Sequence, residues 1–126
     1  MDYKTPLAKA RGLGAAHNGT AHWWMQRISA IALIPLSFWL VIYCKQLVTA
    51  THVQISSWLS EPLNGLFAIA WIIAVFYHAA LGLQVVLEDY VHTEWRKIAA
   101  VWAIKISFFG LALATILAVL RIALAS

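Results

Sequence analysis

A chain of 126 residues, 63% hydrophobic and only 11% charged, with a mean hydropathy of +0.78, lacks the polar surface a soluble domain of this size needs. Its net charge of +4 is spread along the chain at the edges of apolar runs, which fits bilayer flanks and argues against nucleic acid. The single cysteine, Cys44, excludes an internal disulfide, a Cys-ligated iron–sulfur cluster and a structural zinc site built by this chain alone.

Residues 1–22 are polar and basic, with Pro6 and no apolar core before Trp23, and read as a cytoplasmic tail rather than a signal peptide. A first span is predicted over about 24–45. Its uncharged run from Ile28 to Cys44 is 17 residues long, with Arg27 and Lys45 placed to snorkel at its ends. Pro35 inside it removes the donor for the carbonyl of Ile31 and should kink the helix. Residues 46–63 read as a short polar connection with Trp58 as an interfacial anchor. Ser60-Glu61-Pro62 then marks the start of a second span over 62–88, because Pro is favoured in the first helical turn. Residues 88–97 (EDYVHTEWRK) form a charged turn. A third span follows over about 98–121, where Lys105 must snorkel or find a partner.

The expected fold is therefore all-α: one integral membrane domain over 1–126 with three transmembrane helices. Lys4, Lys9, Arg11, Arg27, Arg96 and Lys97 flank one side and only Lys45 and Arg121 the other. The positive-inside rule then places the N-terminus and the 88–97 turn inside and the C-terminus outside.

Chemistry concentrates in the second span, WIIAVFYHAALGLQVVLEDY (Trp71–Tyr90). His78 lies ten residues before the first charge at Glu88, roughly 15 Å into a ~30 Å hydrocarbon core. An ionisable group at that depth marks a functional candidate. On a helix it shares a face with Trp71, Ala74, Gly82, Val85 and Asp89, whose small members leave room for a flat group. Two readings stand: a histidine that bonds a neighbouring helix, or an axial ligand to haem iron. A bis-histidine haem needs two deep imidazoles, and His17, His22, His52 and His92 all fall in tails or turns. On the second reading the other ligand comes from another chain.

Asp89-Tyr90 reads either as an ordinary interfacial helix end or as part of a quinone pocket. In the pocket the Tyr90 hydroxyl donates to a quinone carbonyl while Asp89 orients it or relays protons. Arg27 is either a snorkelling cation or a partner for haem propionates or the quinone region.

HWWMQRISAIAL (His22–Leu33) followed by HAALGLQVVLEDY (His78–Tyr90) resembles the small hydrophobic membrane anchor subunit of succinate dehydrogenase, respiratory complex II. The resemblance implies that His78 is a haem b axial ligand, that Tyr90 hydrogen-bonds ubiquinone with Asp89 lining the same region, and that Arg27 stands near the haem propionates. It implies a second, cytochrome b556-like anchor subunit that shares the haem. It also implies soluble iron–sulfur and flavoprotein subunits that oxidise succinate to fumarate, so this chain would carry neither flavin nor iron–sulfur cluster and would not catalyse alone. The implied location is a bacterial inner membrane, ahead of a mitochondrial one. The anchor of a fumarate reductase and a cofactor-free structural membrane subunit are the alternatives. A proton-relaying transporter is a poorer fit, since three spans with one deep ionisable group make a weak pathway.

Overall fold

The computed structural model describes residues 5–7 and 19–125; most of the tail read from the sequence lies outside them. Among the described residues four helices follow one another: α1 (Gly19–Thr49), α2 (His52–Ser60), α3 (Pro62–Tyr90) and α4 (Glu94–Leu124). No strand occurs among the described residues.

Three of these helices, α1, α3 and α4, are long and apolar enough to cross a membrane. Their 29 to 31 residues give roughly 45 Å of length, so each overshoots a ~30 Å hydrocarbon core. Each also runs past the predicted span at one end or both. Polar flanks such as Gly19–Trp23 and Glu94–Lys97 carry on the helix instead of stopping it. As a result the 88–97 turn shrinks to Val91–Thr93. Helix α1 continues through Pro35, which is exposed and removes the donor for Ile31 O without ending the helix.

The connection after the first span differs from expectation. It contains a nine-residue helix, α2, rather than an irregular polar link. Thr51 starts it with a capping box: Gln54 N donates to Thr51 Oγ1 (3.4 Å) and Thr51 N donates to Gln54 Oε1 (2.8 Å). Further along, Ser56 Oγ donates to Ile122 O (2.8 Å) and Ser60 Oγ lies 2.7 Å from Ala123 O. Those carbonyls sit in the last turn of α4, where no intrahelical donor follows. Serines of α2 thus close the end of α4 and tie the short helix to it. Trp58 stacks on Trp39 of α1 at 5.3 Å, and Phe67 of α3 meets Trp39 edge-on at 5.5 Å.

The α2–α3 corner is tight. Glu61 is extended, Pro62 opens α3, and Gly65 N donates to Glu61 O at 3.0 Å. A Cβ on Gly65 would stand 2.9 Å from Leu59 O, so only glycine fits there undisturbed.

Helix α3 is the central element, with α1 packed along it on one side and α4 on the other. Since α1 and α4 share at most marginal contact, the spans form an open layer rather than a closed bundle. Burial reflects this: Ile72 and Leu81, both on α3, are the buried apolar residues of the described spans. Ile31, Ile34 and Phe38 of α1 and Trp102, Ile106 and Phe109 of α4 are exposed. So much apolar surface is tolerable only against lipid or partner helices. Lys105 finds a partner in its own helix, lying 5.8 Å over the Trp102 ring.

Candidate functional site

His78 faces the α1–α3 seam. Its Nδ1 lies 3.0 Å from Ser29 Oγ, and Ser29 is one of two buried polar residues among those described. Ser29 Oγ in turn donates to Gln26 O at 3.0 Å, three residues back in the same helix. The hydroxyl has one proton, and a carbonyl can only accept, so that proton goes to Gln26 O. Nδ1–H then donates to the Ser29 oxygen, and the lone pair of the neutral ring is left on Nε2. Nε2 has no hydrogen-bond partner among the described residues and, unlike His22 Nε2, is not sealed from the surface.

A second polar link braces the same seam: Trp71 Nε1 donates to Ser37 Oγ at 3.0 Å. Eight residues separate the serines on α1 and seven separate Trp71 from His78 on α3, as expected for antiparallel helices of similar pitch. Hydrogen bonds of this kind join helices in lipid. The face shared by Trp71, His78 and Gly82 therefore packs on α1, and Gly82 does not open onto free space: a Cβ there would lie 3.6 Å from Gln26 Nε2.

The other candidate residues lie elsewhere. Arg27 is exposed, with its guanidinium carbon 4.8 Å over the Trp23 ring. Two residues from Ser29, it points about 200° round α1, away from His78. Asp89 and Tyr90 end α3 and are exposed, Tyr90 to 79%. Neither makes a hydrogen bond or ion pair among the described residues. Twelve residues of helix put Tyr90 roughly 18 Å along the axis from His78. No group of three or more metal-ligating side chains occurs among the described residues.

Between the start of α1 and the end of α3 is a cavity of about 390 Å³, lined by Gly19, His22, Trp23, Gln26, Val85 and Glu88. His22, expected in the tail, is inside α1 and half-buried, and its Nε2 and Gln26 Oε1 are buried without partners. Beside it, Gln84 Nε2 donates to Glu88 Oε1 at 2.7 Å. Nothing in the sequence singles out Ser29 and Gln26, which come opposite His78 and Gly82 only when α1 and α3 are in register. His22 remains near the helix end, seven residues before Ser29 and about 10 Å from it along the axis, so it is no second deep imidazole.

The model of the succinate dehydrogenase/fumarate reductase transmembrane subunit matches residues 1–119. The chain belongs to that family. It is 36% identical over 106 residues to the succinate dehydrogenase hydrophobic membrane anchor subunit of Rickettsia bellii, covering 83% of this chain and 84% of that one. Against the subunit of the same name from Paracoccus denitrificans it is 30% identical over 104 residues, covering 82% and 81%. The succinate dehydrogenase membrane anchor subunit of Reclinomonas americana matches at 30% over 93 residues, covering 71% of this chain and 77% of that one. No solved structure matches the chain. The resemblance carried by His22–Leu33 and His78–Tyr90 is thus a family relationship that extends over residues 1–119 of the chain.

Proposed function

We propose that this chain is the membrane anchor of a succinate dehydrogenase, and that it holds haem b through His78 and helps bind ubiquinone at the end of α3. The curated relatives carry the succinate dehydrogenase name, which favours that direction over fumarate reduction. The observation that supports the haem role is the state of one ring: Nδ1 is occupied by Ser29, while the unpartnered Nε2 is reachable from outside the chain. Neutral imidazole with a free nitrogen and apolar walls is what an axial site requires. Bound there, haem supplies a one-electron carrier within the bilayer.

The open layer gives the haem a place to be shared. With α1 and α4 barely touching, one face of α3 has no further helix across it among the described residues. A cytochrome b-type second anchor subunit would supply both the missing wall and the second imidazole, since His52 and His92 are exposed at helix ends and His22 is near one. At the inner end of α3 the exposed Tyr90 hydroxyl, which has no hydrogen-bond partner among the described residues, donates to a quinone carbonyl. Asp89, one residue back, accepts and passes protons from the aqueous side. Arg27, on the outer side of α1, is available to carboxylates of a neighbouring group rather than to His78 itself. Soluble iron–sulfur and flavoprotein subunits would dock on this surface of an inner membrane and deliver electrons from succinate.

The test is to purify the complex through a tag on this chain and add succinate without an electron acceptor. Co-purifying soluble subunits and a b-type band that appears on reduction support the proposal. A stable complex with quinone reductase activity and no porphyrin would leave the anchor role and remove the haem role.

A further inference from the structure

The mechanism above uses His78 as a ligand but leaves the residue behind it without a role. We propose that Ser29 is a positioning residue for that ligand: it fixes which imidazole nitrogen faces the iron, fixes the ring's rotation, and sets how strongly that nitrogen donates. The inference rests on His78 being the haem ligand, and deepens that reading.

Ser29 is 6% exposed, sits one helix away from the ring it bonds, and already gives its proton to Gln26 O. Its oxygen can therefore only accept from His78, which makes the tautomer with a bare Nε2 the only one that satisfies both bonds. In a low-dielectric seam such a chain of bonds, from Nδ1–H to Oγ–H to a helix carbonyl, polarises each member and strengthens the next. Electron density withdrawn from the N–H bond returns to the ring and raises the donor strength of Nε2. An acceptor bonded to the far N–H of a metal-bound imidazole orients the ring and raises its basicity. A more electron-rich ligand favours ferric over ferrous iron, so the bond holds the haem potential down. Among the described residues Ser29 is the hydrogen-bond partner of the His78 ring.

The sign of the effect follows. Ser29→Ala removes the acceptor while leaving His78 free to bind, and the midpoint potential rises. With the bond stronger in the ferric than in the ferrous state, its loss moves the ferric/ferrous equilibrium roughly two- to threefold. At ~59 mV per tenfold for one electron that is a rise of roughly 20–30 mV. Loss of the acceptor also weakens retention of the group, on the order of tenfold or more.

The experiment is redox titration of the b-type band in complexes purified with Ser29→Ala, Ser29→Thr and Ser37→Ala. Ser37→Ala deletes the equivalent cross-helix link at Trp71 without touching the imidazole, and so reports merely structural loosening. The inference predicts a raised potential in Ser29→Ala, a wild-type potential in Ser29→Thr, which keeps a hydroxyl, and no shift in Ser37→Ala. An unmoved potential in Ser29→Ala, or equal shifts in Ser29→Ala and Ser37→Ala, overturns it while leaving the haem reading intact. A wild-type complex with no b-type band overturns both. Should Ser29→Ala assemble without haem, Ser29→Thr with wild-type haem content and potential supports the role, and Ser29→Thr that also lacks haem overturns it.

Discussion

Replacing Tyr90 by Phe removes one hydroxyl and little else. The side chain is 79% exposed, ends α3, and bonds nothing among the described residues. The fold should therefore be indifferent, within about 0.5 kcal/mol, as for surface substitutions generally. The quinone is affected differently. Its carbonyl would lose a neutral donor and stay partly desolvated, a penalty of about 1–3 kcal/mol. Read as lost kcat/KM for quinone, that is roughly 5- to 150-fold. The assay compares two rates in one preparation: succinate to quinone, and succinate to an artificial soluble acceptor that takes electrons before the membrane. The first should fall within that range and the second should hold, with the thermal midpoint of the complex unchanged. Equal loss of both rates would mean failed assembly. An unchanged quinone rate would show that the end of α3 is not where quinone is held.

Two further substitutions probe the frame that positions the site. Gly65→Ala places a Cβ 2.9 Å from Leu59 O; a shift of backbone costing about 1–3 kcal/mol outweighs the gain of ~1 kcal/mol in helix propensity, so the midpoint of denaturant-induced disassembly should fall. Gly110→Ala, whose added Cβ would meet nothing within 4 Å among the described residues beyond its own helix backbone, should not lower it. Trp71→Phe deletes the bond to Ser37, and should weaken the α1–α3 seam by roughly 0.6–1 kcal/mol, as helix-joining bonds in membranes do; the b-type spectrum should persist, and its loss would mean that the seam rather than His78 holds the haem.

The spans, their order and the deep histidine were legible because lipid demands long apolar helices and isolates any ionisable group inside them. Glu61-Pro62 gave the start of α3 for the same local reason that the structure shows. Helix α2 was readable in principle from Thr51 and Gln54, three residues apart, yet a polar nine-residue segment reads as a connection until the carbonyls of α4 are brought to its serines. The site divides likewise. His78 and Asp89 share a face by offset alone, and Arg27 points away from Ser29 by the same arithmetic, but that arithmetic is idle until one knows that Ser29 faces α3. Serines in membrane helices usually bond back to their own turn. Ser29 does so and also meets His78, and only the register of two helices distant in sequence reveals the second bond.

The central claim is that His78 grips the haem iron. Its most direct measurement is the reduced-minus-oxidised spectrum of complexes purified with and without His78→Ala, normalised to a flavin content that reports intact soluble subunits. The account predicts a b-type band in the wild-type complex that is lost or strongly altered in the variant at equal flavin. An identical band in both would contradict it.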